Sequence, residues 1–429
     1  MTLLIKVIKL SMMQFRSRGE SMNIITQYKG LPKQVYIICI TRVVTAMGGF
    51  IYSFNSLFMT GVLGLSEVVA GYMMIVFSLV GIAGAFIAGR LADNYGRKKV
   101  FVGTMFLAVA ALVFGGCFVY SYWALLAMII MSMCFSGAIP TCSAMVTDNA
   151  DPSNRRESFS LMFLCINVGY AIGQAFAGFL FYNYIRWIFW GQALFFGAAT
   201  LIIVFFFKEV YEPSQVRIES TAGKGDRKEF LMSLKKDKTL LMFLLAIILA
   251  FFCYVQINYM MPLHFNKCAG LEESAMWVSR VWVLNGIFCA VWSPVLLRVT
   301  ERNSQLKNAA IAILLYLVGF GAFAAIGGGS TLWVALIATP IWTAGETLIS
   351  MGSGVFIAGR APEAHKAAYQ SLFEVASNVG RCIGPVTMGY FLTVFTYQVG
   401  WLLVAAVCIL AFIIMLTAIQ IDKGEKINE

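Results

Sequence analysis

Five ionisable residues stand inside long apolar runs of this 429-residue chain: Arg42, Arg280, Glu346, Glu374 and Arg381. A charge at the centre of a bilayer costs about 3 to more than 10 kcal/mol, so such residues are kept where they have work to do or a partner to hold. Glu346 lies well within its run, beyond Pro340. A lone carboxylate short of water is suited to holding a proton or a cation. Glu346 is therefore the leading proton-coupling or cation-binding residue, with a structural ion pair as the competing reading. Gln370, Glu374, Asn378, Arg381 and Pro385 recur at steps of three or four and form one polar stripe on a helix. Glu374 and Arg381, two turns apart, are expected to interact through Asn378 or water as a structural network, with direct substrate contact as the alternative. Arg42 either reaches the aqueous interface along its alkyl stem or pairs with Asp148. Arg280 lies near the end of its run and can reach the interface in the same way. His264 and His365 are expected at the interface, in no catalytic role.

Other chemistries find no support. The sequence has no Cys-x-x-Cys, no His-Glu-x-x-His and no Gly-x-x-x-x-Gly-Lys-Ser/Thr. No metal, no nucleotide and no cofactor is expected, and no enzymatic activity. Nine of the ten cysteines lie in apolar runs and Cys268 stands alone in an expected loop, which argues against a disulfide framework.

The elements that must carry these residues are membrane spans. The chain is 60% hydrophobic and 12% charged, with mean hydropathy +0.79, whereas a soluble domain carries about 25% charged residues. A spanning helix needs about 20 mostly apolar residues. Twelve such runs are read at 35–59, 67–89, 99–119, 122–145, 158–181, 184–207, 239–263, 276–297, 307–327, 331–357, 367–392 and 398–420. Of the 32 Lys and Arg residues, only Arg186 and Lys267 fall in or at the edge of the odd-numbered gaps, and only Arg42, Arg280 and Arg381 lie more than three residues inside a run. All the others flank the opposite side, so the positive-inside rule puts both termini in the cytoplasm. The net charge of +11 thus reflects orientation rather than nucleic-acid binding. The polar stretch 208–238 divides the chain into bundles at 34–207 and 239–420, with tails at 1–33 and 421–429. Arg18-Gly19-Glu20-Ser21 precedes Met22, and its codons can spell a ribosome-binding site, which leaves Met1 and Met22 both open as starts.

The halves repeat. At an offset of 211, Ser160/Ser371, Leu161/Leu372, Asn167/Asn378, Val168/Val379, Gly169/Gly380, Ile172/Ile383, Gly173/Gly384 and Gly178/Gly389 are identical. These are the fifth and eleventh runs, entered from the same side, as in parallel repeats related by an axis along the membrane normal. The Gly-x-x-x-Gly spacing places Gly169 with Gly173, and Gly380 with Gly384, on one helix face, where a neighbour can approach closely. Such a seam is expected to serve packing, and a seam between halves can also be a rocking surface.

Between the second and third runs stands Gly89-Arg90-Leu91-Ala92-Asp93-Asn94-Tyr95-Gly96-Arg97-Lys98-Lys99. It resembles the signature loop of the major facilitator superfamily, Gly-x-Leu-x-Asp-Arg-x-Gly-Arg-Lys/Arg, with Asn94 in place of the usual Arg. The resemblance covers essentially the whole chain and implies an all-α membrane protein of twelve helices in two pseudo-symmetric six-helix bundles. Gly89 is expected to let two helices pack, Gly96 to permit a tight turn, and Asp93 to accept from a helix N-terminus or pair with Arg97. With Lys98 these residues would form a latch favouring one conformation. The second-half loop Leu297-Arg298-Val299-Thr300-Glu301-Arg302-Asn303-Ser304 is degenerate, with Glu301 standing where Asp93 stands and both glycines missing.

Within the superfamily the chain is similar to proton-coupled multidrug exporters, through Asp148 to Arg156 and the glycine-rich fifth run. The Gly-Pro that ends the antiporter motif is Gly173-Gln174 here and appears as Gly384-Pro385 in the eleventh run. The resemblance places the first, fourth, seventh and tenth runs around a central cavity, so Thr45, Asn55, Ser136, Thr141, Gln256 and Asn258 are its expected polar groups. Phe252, Tyr254, Trp342, Met131 and Met133 would add aromatic and soft surface. The reading is proton-driven efflux of hydrophobic, often cationic compounds across the cell membrane by alternating access, by a chain acting as a monomer. A solute:proton symporter or facilitator, and a non-transporting receptor or scaffold, are the competitors.

Overall fold

The computed structural model describes residues 28–151, 154–209, 234, 237–360 and 366–428, and every regular element among them is helical. The N-terminal tail to residue 27 with Met22, most of the 208–238 linker, and His365 lie outside the described residues, as do the side chains of Arg156 and Gln370.

The helices are α1 Lys33–Met47, α2 Phe50–Leu57, α3 Glu67–Tyr95, α4 Arg97–Cys117, α5 Trp123–Asn149, α6 Arg155–Asn183, α7 Arg186–Phe206, α8 Lys238–Tyr254, α9 Met260–Val299, α10 Gln305–Ala322, α11 Trp333–Arg360, α12 Lys366–Leu392 and α13 Tyr397–Asn428. Ten helical runs among the described residues are long and apolar enough to cross a membrane. The α12 helix, which carries Glu374, Asn378 and Arg381, is not among the ten. One of the ten is the 62-residue stretch Lys238–Val299. It is interrupted by a 3-10 turn at Val255–Ile257 and by Gly270, whose φ of 80° and ψ of 169° are not helical. Residues 264–275, read as a connection, are therefore largely helical, with the change of direction confined to the one residue that adopts positive φ without strain.

The first run is also broken. Gly48 and Gly49 interrupt it between α1 and α2, and the far end unwinds into a π-turn at Phe58–Val62. The expected tail 421–429 is the last part of α13, which stays helical to Asn428. Phe86, Phe106, Leu194, Phe205 and Leu402 point outward as an apolar exterior suited to lipid.

Packing follows the repeat. Within the first half α1 packs on α6 and α3 on α5, and within the second α8 packs on α12 and α9 on α11. Contacts between the halves run through α6 with α9, α3 with α12, and α2 with α9. The glycines explain these choices. A Cβ on Gly169 or Gly173 would come within 2.3 and 2.2 Å of the Val43 and Met47 carbonyls of α1. On Gly380 it would come within 2.2 Å of the Ile248 carbonyl of α8, and on Gly384 within 2.6 Å of Val255. The Gly-x-x-x-Gly faces are thus seams inside each half, not between halves. One turn or more beyond, the repeat switches partner: Gly178 abuts Ala275 and Ser279 of α9, and Gly389 abuts Glu67 and Val68 of α3.

Candidate functional site

Glu346 is on α11, six residues past Pro340, facing a cavity of about 220 Å³ bordered by α8, α10, α11 and α12. Both carboxylate oxygens are engaged. The Tyr254 hydroxyl of α8 donates to Oε1 at 2.7 Å, and the Asn285 amide of α9 donates to Oε2 at 2.8 Å. Asn285 is itself fixed by its second contact, to Thr343 Oγ1 at 3.0 Å. These donors are neutral, and no ion pair reaches Glu346 among the described residues. Around it, Tyr254 stacks on Tyr316 with centroids 6.1 Å apart, and Trp342 stands edge-on to Tyr254 and Trp282. Trp282 also meets Tyr170 of the first half edge-on at 5.6 Å. The buried indole nitrogens of Trp282 and Trp342 have no acceptor among the described residues. A carboxylate with aromatic side chains packed around its hydrogen-bond donors can receive a proton, or a cation with an apolar body.

Glu374 and Arg381 border the same cavity. The expected bridge through Asn378 is not formed by its amide N–H, which donates to the Glu374 backbone carbonyl at 2.8 Å. The Arg381 guanidinium instead lies over the Phe251 ring at 4.8 Å, with no acceptor for Nε among the described residues. Pro385 sits at the α12–α3 contact, its carbonyl against Gly71. Arg42 is buried beside the Cys142 thiol, neither reaching water nor pairing with Asp148. Arg280 is exposed and covers Trp277 at 4.7 Å. His264 is buried rather than interfacial: its Nδ1 accepts from Trp401 Nε1 at 3.1 Å, and Tyr397 stacks on it at 5.1 Å. Thr45 and Thr141 return their hydroxyls to their own helices.

The model of the Major Facilitator Superfamily matches residues 38–385. The chain belongs to the Major Facilitator Superfamily. It is a multi-pass membrane transporter, not an enzyme. It is 22% identical to the Na(+), Li(+), K(+)/H(+) antiporter of Planococcus maritimus, over 74% of this chain and 80% of that protein. It is 33% identical to the multi-drug resistance efflux pump PmrA homolog of Lactococcus lactis, over 33% of this chain and 36% of that protein. Among solved structures, a peptide transporter POT in complex with sulfate superposes with TM-score 0.75 at 15% identity, covering 92% of this chain and 95% of that one. At that identity the likeness is one of fold.

In this superfamily member the basic loop ties helices of its own half together. Gly96, at φ 94°, ends α3 and begins α4 with Glu209 packed against it. Arg97 forms an ion pair with Asp148 at the end of α5, with Asp93 and Glu209 as acidic neighbours. The Lys98 amide donates to Glu209 Oε1 at 3.0 Å, and Lys98 Nζ donates to the Phe207 carbonyl at 2.7 Å beyond α7. Gly89 has open space where a Cβ would stand, so close packing there is not its role. The intimate α3–α5 approach falls at Gly84 and Gly137.

Two clusters escaped the sequence reading. Arg360, ending α11, pairs with Asp237, Asp422 and Glu425, the first two at 2.8 Å, and so fastens α8, α11 and α13. In the repeat Arg360 falls within a residue of the position equivalent to Asp148. At the other end Glu67, the first residue of α3, accepts from the Tyr397 hydroxyl through Oε1 and from the Tyr259 hydroxyl through its backbone carbonyl. Ser56 Oγ donates to the Asn258 carbonyl at 3.0 Å, the Tyr72 and Tyr390 hydroxyls meet at 3.0 Å, and Ser279 donates to the Gln174 carbonyl. Each of these bonds joins the two halves, and each lies toward the Glu67 end. The glycine break at residues 48–49 and the lone acid opening α3 were the available signals.

Proposed function

We propose that the chain exports hydrophobic, often cationic compounds in exchange for protons, by alternating access. The observation that carries this reading is Glu346: a carboxylate inside the membrane, held by two neutral donors and edged by aromatic rings. Neutral donors bring no charge of their own, so the carboxylate keeps its net negative charge and a proton and a cationic compound can compete for the same oxygens. Glu374 and Arg381, on the rim of the same cavity, are the next residues assigned to substrate or proton handling. Similarity to the Lactococcus multidrug pump supports the substrate class.

The architecture that goes with it is twelve spans in two six-helix bundles, 34–207 and 239–420, joined by 208–238. Dividing the Lys238–Val299 stretch at Gly270 and adding α12 to the ten apolar runs supports twelve. Arg97, Lys98 and Arg360 share one end of the bundle with Gln34, Lys208 and Glu425, which supports placing that end in the cytoplasm. The cavity beside Glu346 then faces the cytoplasm, and the Glu67 end is closed. The proton gradient across the cell membrane supplies the driving force, and one chain suffices.

Dye efflux in everted vesicles, with and without a proton uncoupler, tests the reading. Wild type should move dye only with the gradient, and Glu346→Gln should express normally yet lose proton-driven transport. Full gradient-dependent efflux in Glu346→Gln would refute the role of Glu346. A second reading, alkali cation:proton exchange, draws on the similarity to the Planococcus antiporter. It predicts that Na+ or K+ dissipates a pH gradient in the same vesicles while dye stays put.

A further inference from the structure

The cavity beside Glu346 holds a second buried charge. Arg381 of α12 borders the same 220 Å³, and among the described residues it forms no ion pair. Its Nε is buried with no acceptor among those residues, and its guanidinium rests on the face of Phe251 at 4.8 Å. A buried N–H without an acceptor carries a desolvation cost until something accepts from it. Glu374 does not fill that role: it is exposed, two turns nearer the start of α12.

The two charges stand level. α11 ends at Arg360 and α12 begins at Lys366, so both helices leave one short connection. Glu346 comes fourteen residues before that end of α11 and Arg381 fifteen residues after that start of α12, about 21 and 22 Å along helices that rise 1.5 Å per residue. Around the space between them, Phe251 stands edge-on to Tyr254 at 6.0 Å and to Phe373 at 5.9 Å, and Tyr316 stacks on Tyr254. A carboxylate on one wall and a guanidinium on another thus border one aromatic space without pairing. A compound with positive charge alone satisfies Glu346 and is opposed by Arg381, and a compound with negative charge alone meets the reverse. Burial leaves either opposition poorly screened. A compound with both charges finds a partner at each end. At 220 Å³ the cavity is smaller than the roughly 300–1,000 Å³ of drug-sized sites, so the body between those charges is compact.

We propose that the preferred cargo is a compact aromatic zwitterion, its ammonium on Glu346 and its carboxylate on Arg381. This names the substrate class of the site already assigned to export, and it rests on that assignment. The carboxylate accepts from Arg381 Nε and from a terminal N–H, the side-on bidentate pairing that a planar guanidinium favours. The ring lies among Tyr254, Tyr316 and Phe373. Exchange with protons is retained, because the ammonium and a proton still compete for the Glu346 oxygens.

Tryptophan, tryptophanamide and N-acetyltryptophan share one ring system and carry both charges, the positive charge and the negative charge respectively. Stabilisation of the purified transporter against heat, followed over a concentration series of each, ranks their affinities without any gradient. Wild type should bind tryptophan about tenfold more tightly than either analogue, the difference one charge-assisted hydrogen bond makes. Arg381→Gln should weaken tryptophan and N-acetyltryptophan about tenfold and leave tryptophanamide no weaker. Glu346→Gln should weaken tryptophan and tryptophanamide about tenfold and leave N-acetyltryptophan no weaker. A residue that only shaped the cavity would weaken all three together. If Arg381→Gln does not fold, the wild-type ranking and Glu346→Gln carry the comparison. Tryptophan bound no more tightly than tryptophanamide in wild type, or a parallel loss of all three compounds in the variants, would overturn the proposal. Dye efflux reports on export separately: no efflux with the ranking intact sinks the export reading and leaves the zwitterion site, whereas efflux without the ranking leaves export of cations and removes the zwitterion.

Discussion

Tyr254 and Glu346, ninety-two residues apart in the chain, meet at 2.7 Å between α8 and α11, the phenol donating to the carboxylate. Removing that donor in Tyr254→Phe leaves the ring in place and takes away one hydrogen bond to a charged group, about 1.5–3 kcal/mol. Gradient-driven efflux should fall roughly tenfold, with expression unchanged. Asn285→Ala should do the same, and the double variant should lose less than the sum, because both act on one carboxylate. Initial efflux rates in everted vesicles would show this. Additive losses would separate the two donors from a common site.

The Arg97–Asp148 pair joins α4 to α5 at the exposures of 17% and 22% recorded for its side chains. Exchange with water limits such a pair to about 1 kcal/mol of stability. Its loss should therefore show in turnover more than in folding. Arg97→Asp should lower transport several-fold, and the swap Arg97→Asp with Asp148→Arg should restore most of it. A swap no better than the single variant would show that the loop needs these charges in their present order.

Gly173 allows no side chain: a Cβ would stand 2.2 Å from the Met47 carbonyl. Gly173→Leu should reduce stability by at least the roughly 1–3 kcal/mol of an overpacked core. Gly103, with open space around it on α4, provides the control. Gly103→Ala should leave Tm unchanged or raise it slightly. Thermal unfolding in detergent, followed by size-exclusion recovery, would separate the two.

Arg360 balances three carboxylates with a side chain 21% exposed. Arg360→Ala leaves Asp237, Asp422 and Glu425 repelling one another, and with partial exposure the loss should be roughly 1–2 kcal/mol. Raised salt should shrink the difference from wild type, since screening eases the repulsion. A salt-independent loss of Tm would point to lost packing on Phe356, over which the guanidinium lies at 5.8 Å.

What could be read from the sequence divides along physical lines. Glu346 was visible because a lone carboxylate in an apolar run needs either a partner or a task. The seams at Gly169, Gly173, Gly380 and Gly384 were visible as spacing, although spacing cannot say which neighbour fills a groove, and the neighbours proved to be α1 and α8. Tyr254 was picked out for its aromatic surface, but its hydrogen bond, like that of Asn285, depends on how three helices dock. Arg360 looked like an ordinary flanking cation, because its three partners sit 62 to 123 residues away. Arg42 was expected at water or on Asp148, yet Asp148 is taken by Arg97, a competition that pairwise reasoning does not see.

The hydrogen bonds that run from Glu67, Ser56, Tyr72 and Gln174 to Tyr397, Tyr259, Asn258, Tyr390 and Ser279 give the carrier a waiting state. Each contributes about 0.5–1.5 kcal/mol net, and a proton crossing 100 mV delivers about 2.3 kcal/mol. If the chain is proton-driven as proposed, a single inward proton is of the same order as two of these bonds. An idle molecule would then rest with one door shut, and the compartment behind the open door would be the first to sample the chamber on each cycle.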